Sequence, residues 1–202
     1  DMDRAKSLFT QYNKAGGKVL RGLTRRRQAE KLLFEGKIKE ALDQARLELE
    51  QAQRLLWASA ERFQPKVLSL EDHDLVTIAK QSETRVPKQF SPRVWEALAA
   101  GRRQGWVVAD RVIGKYDLID YAAGFDAQGV ATGVEILAYR ESHGSEIRQP
   151  AWRKQFVGKK GPASMRFADD IRNVSGATLS CQHVTEGMQR LSALVSLMSA
   201  GK

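Results

Sequence analysis

The sequence predicts an α+β protein, in which a helical N-terminal segment precedes an antiparallel sheet with packed helices. Apolar residues recur at helical spacing in the first third of the chain, β-prone runs joined by short connections occupy its middle, and a second helical stripe closes it. We therefore expect a helical extension over residues 1–64 and a sheet-containing domain over residues 65–202.

The N-terminal segment has no proline before Pro65 and is rich in strong helix formers. Breaks are predicted at Gly16-Gly17 and around Gly36, so that the last of about three helices covers residues 38–63. The apolar repeat that indicates helix consists of Leu42, Ala45, Leu49, Ala52, Leu56 and Ala60.

Beyond Pro65 the pattern changes from helix toward strand. Ser69 is predicted to cap a helix, and Ser91-Pro92 to begin a short helix that Gly101 ends. Short connections between the β-prone runs that follow favour an antiparallel meander. These runs are Trp106–Ile113, Tyr116–Ala123 and Val130–Tyr139.

The C-terminal residues 180–199 return to helical spacing. Their apolar side chains step by four and three positions, which predicts one buried stripe. The stripe consists of Val184, Met188, Leu191, Val195 and Met198.

The net charge is +9, from 33 Lys and Arg against 24 Asp and Glu, and residues 1–33 hold nine basic and three acidic residues of this total. Such a charge suits anionic partners such as nucleic acid, lipid headgroups or a phosphorylated cofactor. No aromatic interleaving or nucleic-acid motif accompanies Arg25, Arg26 and Arg27, so nucleic acid is not an expected partner. No apolar run reaches the roughly 18 residues of a membrane span.

A run of small residues precedes the last helix, where residues 175–178 are Ser-Gly-Ala-Thr. Helix N-termini attract anions, and Gly176 and Ala177 have almost no side chain to keep a phosphate at a distance. An ordinary capped helix start, with Thr178 or Ser180 as N-cap, is the alternative interpretation. The motif by itself is compatible with both.

This stretch resembles the Asp-x-x-Ser/Thr-Gly-Ala-Thr signature of the FMN-binding domain family. That family includes the flavin-carrying subunits of the sodium-pumping NADH:quinone oxidoreductase and of a related ferredoxin-oxidising membrane complex. The similarity covers roughly residues 66–200. Further blocks that look like the family, in its order, are residues 110–119, 133–144 and 152–159.

The resemblance implies that a separate flavin transferase, acting outside the cytoplasm, esterifies Thr178 with the phosphate of FMN. It also implies that the loop after the last strand lies against the flavin. Besides Thr178, the residues expected to contact the cofactor are Ser175, Gly176, Ala177, Leu179, Ser180, Glu141, Ser142, His143, Gly144 and Lys159.

Two positions depart from the family pattern near the expected site. Arg172 replaces the acid three residues before the serine of the signature, which leaves Asp170 as the nearest acid. In the loop, Ser142 stands where threonine is usual, and the residues after Glu141 lack the usual proline.

Other candidate residues have simpler interpretations. Residues 71–74, Glu-Asp-His-Asp, could resemble a metal cluster but are typical of a solvated helix start. His143 would either donate to the flavin ring or face solvent, and His183 is expected to be structural. Cys181 is either a thiol activated at the helix N-terminus or a small packed residue.

The function that the resemblance implies is electron transfer, without independent substrate turnover. The expected flavoprotein is periplasmic, attached to the membrane through a partner or a removed N-terminal segment, and relays electrons between a membrane redox partner and another centre. The alternative is a cofactor-free scaffold that binds a partner through the basic N-terminal helices.

Overall fold

The computed structural model describes residues 14–15, 18–19, 21–141 and 143–201, and it describes side chains from residue 33 onward. The predicted break at Gly16-Gly17 lies outside the described residues. The first elements are β1 (Lys14–Ala15), β2 (Lys18–Val19) and helix α1 (Arg21–Leu56). They are followed by β3 (Arg62–Lys66), α2 (Asp72–Ser82), β4 (Arg93–Ala99), β5 (Arg102–Ile113), β6 (Leu118–Asp126), β7 (Ala131–Tyr139), α3 (Pro150–Arg153) and α4 (Thr178–Ser199). Short 3-10 turns occupy Ser145–Arg148, Lys154–Phe156 and Pro162–Ser164.

Strands β3 to β7 form a five-stranded antiparallel sheet in which each strand pairs with the next along the chain. The three predicted strands correspond to β5, β6 and β7, so the predicted meander is confirmed. With helices packed on the sheet, the α+β fold class is also confirmed.

The prediction of a short helix after Ser91-Pro92 is wrong, because this segment is strand β4. Its side chains Val94 and Trp95 favour a strand, and β4 pairs with β5 along its whole length. Gly101 does not end a helix but forms, with Ala100, a two-residue hairpin in which both residues have positive φ. In this chain, Ser91-Pro92 therefore precedes a strand, and Gly101 lies in the hairpin turn that follows it.

The predicted break at Gly36 is also wrong, since α1 runs through it from Arg21 to Leu56. A single glycine costs a helix about 1 kcal/mol, which the strong helix formers around it outweigh. The segment predicted as helical up to residue 63 instead turns into β3, where Pro65 lies in the edge strand. An edge strand tolerates a residue without an N–H group.

The helix predicted to begin near Ser69 begins two residues later than a Ser69 cap would place it, with Glu71 as its N-cap. The backbone N–H of Glu71 donates to the carboxylate of Asp74 over 2.8 Å. His73 lies 3.4 Å from Glu71 and 3.2 Å from Asp74. In residues 33–141 and 143–201 no group of three or more His, Cys, Asp or Glu side chains is placed to hold a metal ion.

Both faces of the sheet are covered. One face packs against α2 and α4 in the main core, and all five predicted stripe residues of α4 are buried there. The burial of these residues confirms the predicted stripe of α4. The other face of the sheet is covered by the end of α1, where Ala52 and Leu56 pack against Val107, Ala109 and Ala122.

The chain forms two compact units, and the boundary between them falls within α1, after Glu48 and before Leu49. The sheet, α2, α3, α4 and the last turns of α1 belong to the second unit. The predicted boundary between residues 64 and 65 stays a prediction.

Candidate functional site

Helix α4 begins at Thr178 without a side-chain cap. Its N-cap is Ala177, and the first backbone bond of the helix runs from the N–H of Cys181 to the carbonyl of Ala177 over 2.8 Å. The alternative in which Thr178 or Ser180 is the N-cap is therefore wrong. Because Ala177 has no side-chain oxygen and the first turn contains no acidic residue, the positive end of the helix is open to an external anion.

A cleft of about 310 Å³ opens directly at this helix end. Three segments that are distant in sequence supply its walls: the β5–β6 hairpin, the loop after β7, and the small-residue motif with the first turn of α4. The lining residues are Lys115, Tyr116, Glu141, His143, Gly176, Ala177, Thr178, Leu179 and Ser180. The fold thus brings the predicted flavin loop and the predicted phosphate motif to one site.

Thr178 is the exposed first residue of α4, and its hydroxyl faces a polar neighbour. The side-chain amide of Asn173 donates to the Thr178 Oγ1 over 2.9 Å. Gly176, two residues earlier, is exposed with φ of 84°, and a Cβ added to it would meet no atom within 4 Å. The hydroxyl is consequently reachable from solvent and already oriented.

Tyr139 joins the loop after β7 to helix α4. Its hydroxyl donates to the carbonyl of His143 over 2.5 Å and lies 3.1 Å from the Oγ of Ser180. Since a phenol has one proton, Ser180 is the donor in the second bond. Burial is the main reason that the pKa of Tyr139 is raised, so this hydroxyl stays protonated at neutral pH.

Gly144 brings the same loop into contact with the small-residue motif. It has φ of 86°, and a Cβ placed on it would lie 2.6 Å from the Tyr139 hydroxyl and 3.1 Å from Ala177. Only glycine combines this backbone conformation with such a close approach. Gly144 therefore packs behind the cleft wall rather than lining it.

Glu141 lines the cleft, but its carboxylate binds the protein itself. Its Oε1 accepts hydrogen bonds from the backbone N–H groups of Tyr116, over 2.6 Å, and of Asp117, over 3.0 Å. The bonds from Asp117 and Tyr116 are the main reason that the pKa of Glu141 is lowered.

Three further predicted contacts lie elsewhere or outside the described residues. Ser175 is exposed and does not line the cleft, and neither does Lys159, whose carbonyl accepts from the N–H of Ala131 at the start of β7. Ser142 lies outside the described residues.

Arg172, which departs from the family signature, and Asp170, the nearest remaining acid, are both held by their surroundings. The backbone N–H of Arg172 donates to Gln155 over 2.8 Å, and its carbonyl accepts from Trp152 over 3.0 Å, while its side chain is exposed. Asp170 accepts from the backbone N–H of Arg166, which is the main reason that its pKa is lowered. Asp170 thus closes its own turn.

Four residues of the site were not predicted: Lys115, Tyr116, Tyr139 and Asn173. The first two belong to a block that resembles the family, yet only the fold shows that their hairpin reaches the cleft. A Gly-Lys-Tyr-Asp turn after a strand was the available signal. The only sequence signal for Asn173 was its position five residues before Thr178.

Cys181 and His183 both lie in α4 just after the motif. Cys181 is free and buried, and burial raises the pKa of its thiol, so its interpretation as a packed residue is confirmed. The Nδ1 of His183 lies 2.7 Å from the carbonyl of Ile113 and 3.2 Å from that of Gly114. His183 therefore connects the helix to the β5–β6 hairpin, as expected of a structural residue.

Residues 114–193 match the family model of the FMN-binding domain. This region is an FMN-binding domain. All nine lining residues of the cleft lie within the match, so the cleft belongs to the FMN-binding domain and not to the helical extension. No curated protein matches the chain.

The residues of the FMN-binding domain fit its cofactor. Uncapped amides at the start of α4 and the cation of Lys115 suit a phosphate, whereas Tyr116, 73% exposed, and Leu179, 42% exposed, offer apolar surface to a ring system. The matched region and the cleft residues accordingly support FMN as the cofactor. None of the helices in the described part of the chain is long and apolar enough to cross a membrane.

Proposed function

We propose that the protein is an extracytoplasmic electron carrier whose FMN is attached through its phosphate to Thr178. The observation that carries this proposal is the exposed Thr178 hydroxyl at the uncapped start of α4, inside the cleft of the FMN-binding domain. In the proposed step the Thr178 oxygen loses its proton and bonds to the phosphorus of an activated FMN donor supplied by the flavin transferase, and the bond from phosphorus to the donor's leaving group breaks. The adjacent amides of the helix would hold the remaining phosphate oxygens.

The chain's own residues would do three things for the bound group. The first-turn amides of α4 and the charge of Lys115 would neutralise the phosphate, and Asn173 would keep the Thr178 oxygen in position. Tyr116 and Leu179, which are both exposed, would offer apolar surface to the ring. FMN supplies one-electron and two-electron redox chemistry when bound, so no acid–base residue is required.

A covalent tether suits a carrier that works where little free FMN is present, because an ester abolishes dissociation of the cofactor. We therefore place the protein outside the cytoplasm, in the periplasm, with a flavin transferase as maturation partner. Its electron-transfer partners would be a membrane redox protein and a second extracytoplasmic centre. Fractionation of cells that produce the protein from its natural gene would test the location, and recovery with the cytosol would contradict it.

The proposal is tested by co-producing the protein with a flavin transferase and measuring its intact mass after denaturation. We expect a mass increase equal to FMN less water and a yellow colour that survives denaturation. Thr178→Val should remove both, because valine has the shape of threonine without its hydroxyl. Thr178→Ser is the matched control, since it keeps a hydroxyl at the same position.

Flavin that stays attached in Thr178→Val would show that the ester is formed on another residue. Wild-type protein that stays colourless after co-production would contradict covalent attachment. Before the wild type and Thr178→Val are compared, the wild-type protein should be checked for a cooperative unfolding transition.

A partner-binding scaffold is the second candidate function, and the charge of the N-terminal segment favours it. Residues 1–33 hold nine basic and three acidic residues. A segment with such an excess of positive charge attracts an acidic partner. Persistent absence of flavin, together with tight binding of the same partner by wild type and Thr178→Val, would favour this second function.

A further inference from the structure

The β5–β6 hairpin, residues 114–117, is a wall of the cleft that the sheet alone does not hold in place. It extends beyond the last register pair of the two strands, Ile113 with Leu118, and carries Lys115 and Tyr116 toward the cleft. Its internal closure is one bond of 2.7 Å from the N–H of Gly114 to the carbonyl of Asp117. An exposed turn that is closed by a single backbone bond can open locally unless other contacts hold it.

The loop after β7 supplies the first such contact. One oxygen of Glu141 accepts from the N–H groups of Tyr116 and Asp117, at 2.6 and 3.0 Å. A Cβ added to Gly114 would lie 2.4 Å from the same oxygen, so the carboxylate fits against a position that has no side chain. Arg140, the preceding residue, donates to the carbonyl of Leu118 over 3.1 Å.

Helix α4 supplies the second contact through His183. The Nδ1 atom of His183 faces two backbone carbonyls, those of Ile113 and Gly114, at 2.7 and 3.2 Å. Carbonyls only accept, so Nδ1 carries the proton and donates. His183 lies five residues after Thr178, on the helix that begins at the phosphate site.

We propose that Glu141 and His183 are positioning residues, which fix the hairpin so that Lys115 and Tyr116 are already in place for FMN. The inference rests on the proposed FMN site but assigns Glu141 a role different from direct contact with the cofactor. The bonds of Glu141 and those of His183 come from the other two walls of the cleft, so the three walls are joined before any cofactor enters. A site organised in advance loses less conformational entropy on binding.

The test uses the full chain without attached flavin and two measurements. The first is hydrogen–deuterium exchange at the amides of Tyr116 and Asp117, and the second is titration with free FMN followed by flavin fluorescence. In Glu141→Ala we expect exchange at these amides to be about tenfold faster or more and FMN binding to weaken by roughly threefold to tenfold. His183→Ala should weaken FMN binding in the same direction.

Two further variants separate positioning from general damage. Glu141→Gln keeps an oxygen that can accept, so it should restore most of the exchange protection without restoring the charge. Glu186→Ala removes a carboxylate from the same helix, where Glu186 bonds to Gln182, and should leave both measurements unchanged. The melting temperature of Glu141→Ala should stay close to that of wild type.

Unchanged exchange at the two amides in Glu141→Ala would overturn the inference, and so would unchanged FMN affinity. Failure of the proposed function gives a different result, because the wild-type protein would then neither bind free FMN nor carry it on Thr178. The wild-type titration and mass therefore distinguish the two failures.

Discussion

The side-chain amide of Asn173 donates a 2.9 Å hydrogen bond to the hydroxyl oxygen of Thr178. Asn173 stands outside α4, and Thr178 is the first residue of that helix. The bond occupies one lone pair of the hydroxyl oxygen and leaves its proton and the second lone pair available. Asn173 thereby orients the atom that we propose to bond to phosphorus.

We expect Asn173→Ala to slow covalent loading of FMN without abolishing it. A single neutral hydrogen bond contributes about 1 kcal/mol, which corresponds to roughly fivefold in rate. The measurement is the time course of the intact-mass shift with a fixed amount of flavin transferase. Asn13→Ala, a substitution of the same kind far away in sequence, is the control. Equal rates for wild type and Asn173→Ala would contradict the assigned role.

We expect Gly187→Ala to destabilise the protein although alanine is the better helix former. A Cβ at this position would lie 2.3 Å from the hydroxyl of Tyr121, which is fully buried and donates to Asp110. Overpacking of this kind costs about 1–3 kcal/mol, more than the gain in helix propensity. The measurement is the free energy of unfolding in urea.

The clash can be assigned with two matched variants. Tyr121→Phe in the Gly187→Ala background removes the obstructing oxygen, so the double variant should lose less stability than the sum of the two single variants. Gly36→Ala also lies within a helix, but its Cβ meets no atom within 4 Å and should not destabilise. If the losses of Gly187→Ala and Tyr121→Phe were strictly additive in the double variant, the clash of Gly187→Ala would be with another group.

We expect the end of α1 to stabilise the folded domain, and we expect only the side chains on its sheet-facing side to contribute. Leu56, 7% exposed, packs against Gly124 and Gly133 of the sheet, whereas Leu55 is 70% exposed. Leu56→Ala should cost about 2–4 kcal/mol, and Leu55→Ala should stay within about 0.5 kcal/mol. Thermal unfolding of the two variants compares them directly, and similar losses would contradict the packing described.

We expect the hydrogen bonds from the amides of Tyr116 and Asp117 to Glu141 to be lost in acid. The amides of Asp117 and Tyr116 lower the pKa of Glu141 below its usual value of 4.5, and Lys115 acts in the same direction. The ionised carboxylate of Glu141 is the form that accepts these bonds. Their contribution to stability is therefore complete above the usual glutamate pKa of 4.5, and it is lost as the pH falls through the lowered pKa. The Tyr116 amide chemical shift should report a midpoint below 4.5.

The control for this titration is Glu141→Gln, in which the Tyr116 amide should not follow the acid transition. Asp117→Asn removes the nearest other carboxylate on the hairpin and should leave the midpoint in place. A midpoint at or above the usual glutamate value in wild type would show that the bonds are not maintained in solution.

Periodicity predicted the parts of the fold whose side chains alternate or recur without interruption. The stripe from Val184 to Met198 and the meander from β5 to β7 were predictable because each element carries its own pattern of burial. Strand β4 was missed although Val94 and Trp95 favour a strand, because Ser91-Pro92 and Gly101 resembled the two ends of a capped helix. The turn that follows β4 includes Ala100, an ordinary residue whose positive φ its residue type does not indicate.

The site was predicted in halves. The small residues at 175–178 indicated a phosphate, and the resemblance added the loop with Glu141 and His143. Their meeting depends on the lengths of β6 and β7 and on the Tyr139 hydroxyl, which joins His143 to Ser180. Distances between segments are not encoded in spacing, so Lys115 and Tyr116 could not be placed from the sequence.

Helix α4 begins at the exposed Thr178 and continues as the most deeply buried helix of the domain. An anchor on this helix cannot swing away as one on a loop could, because displacing it would mean extracting the helix from the core. Under the proposed attachment to Thr178, the surroundings of the cofactor at this helix end would therefore last as long as the native state. A carrier of the kind proposed would keep a constant redox environment over many cycles.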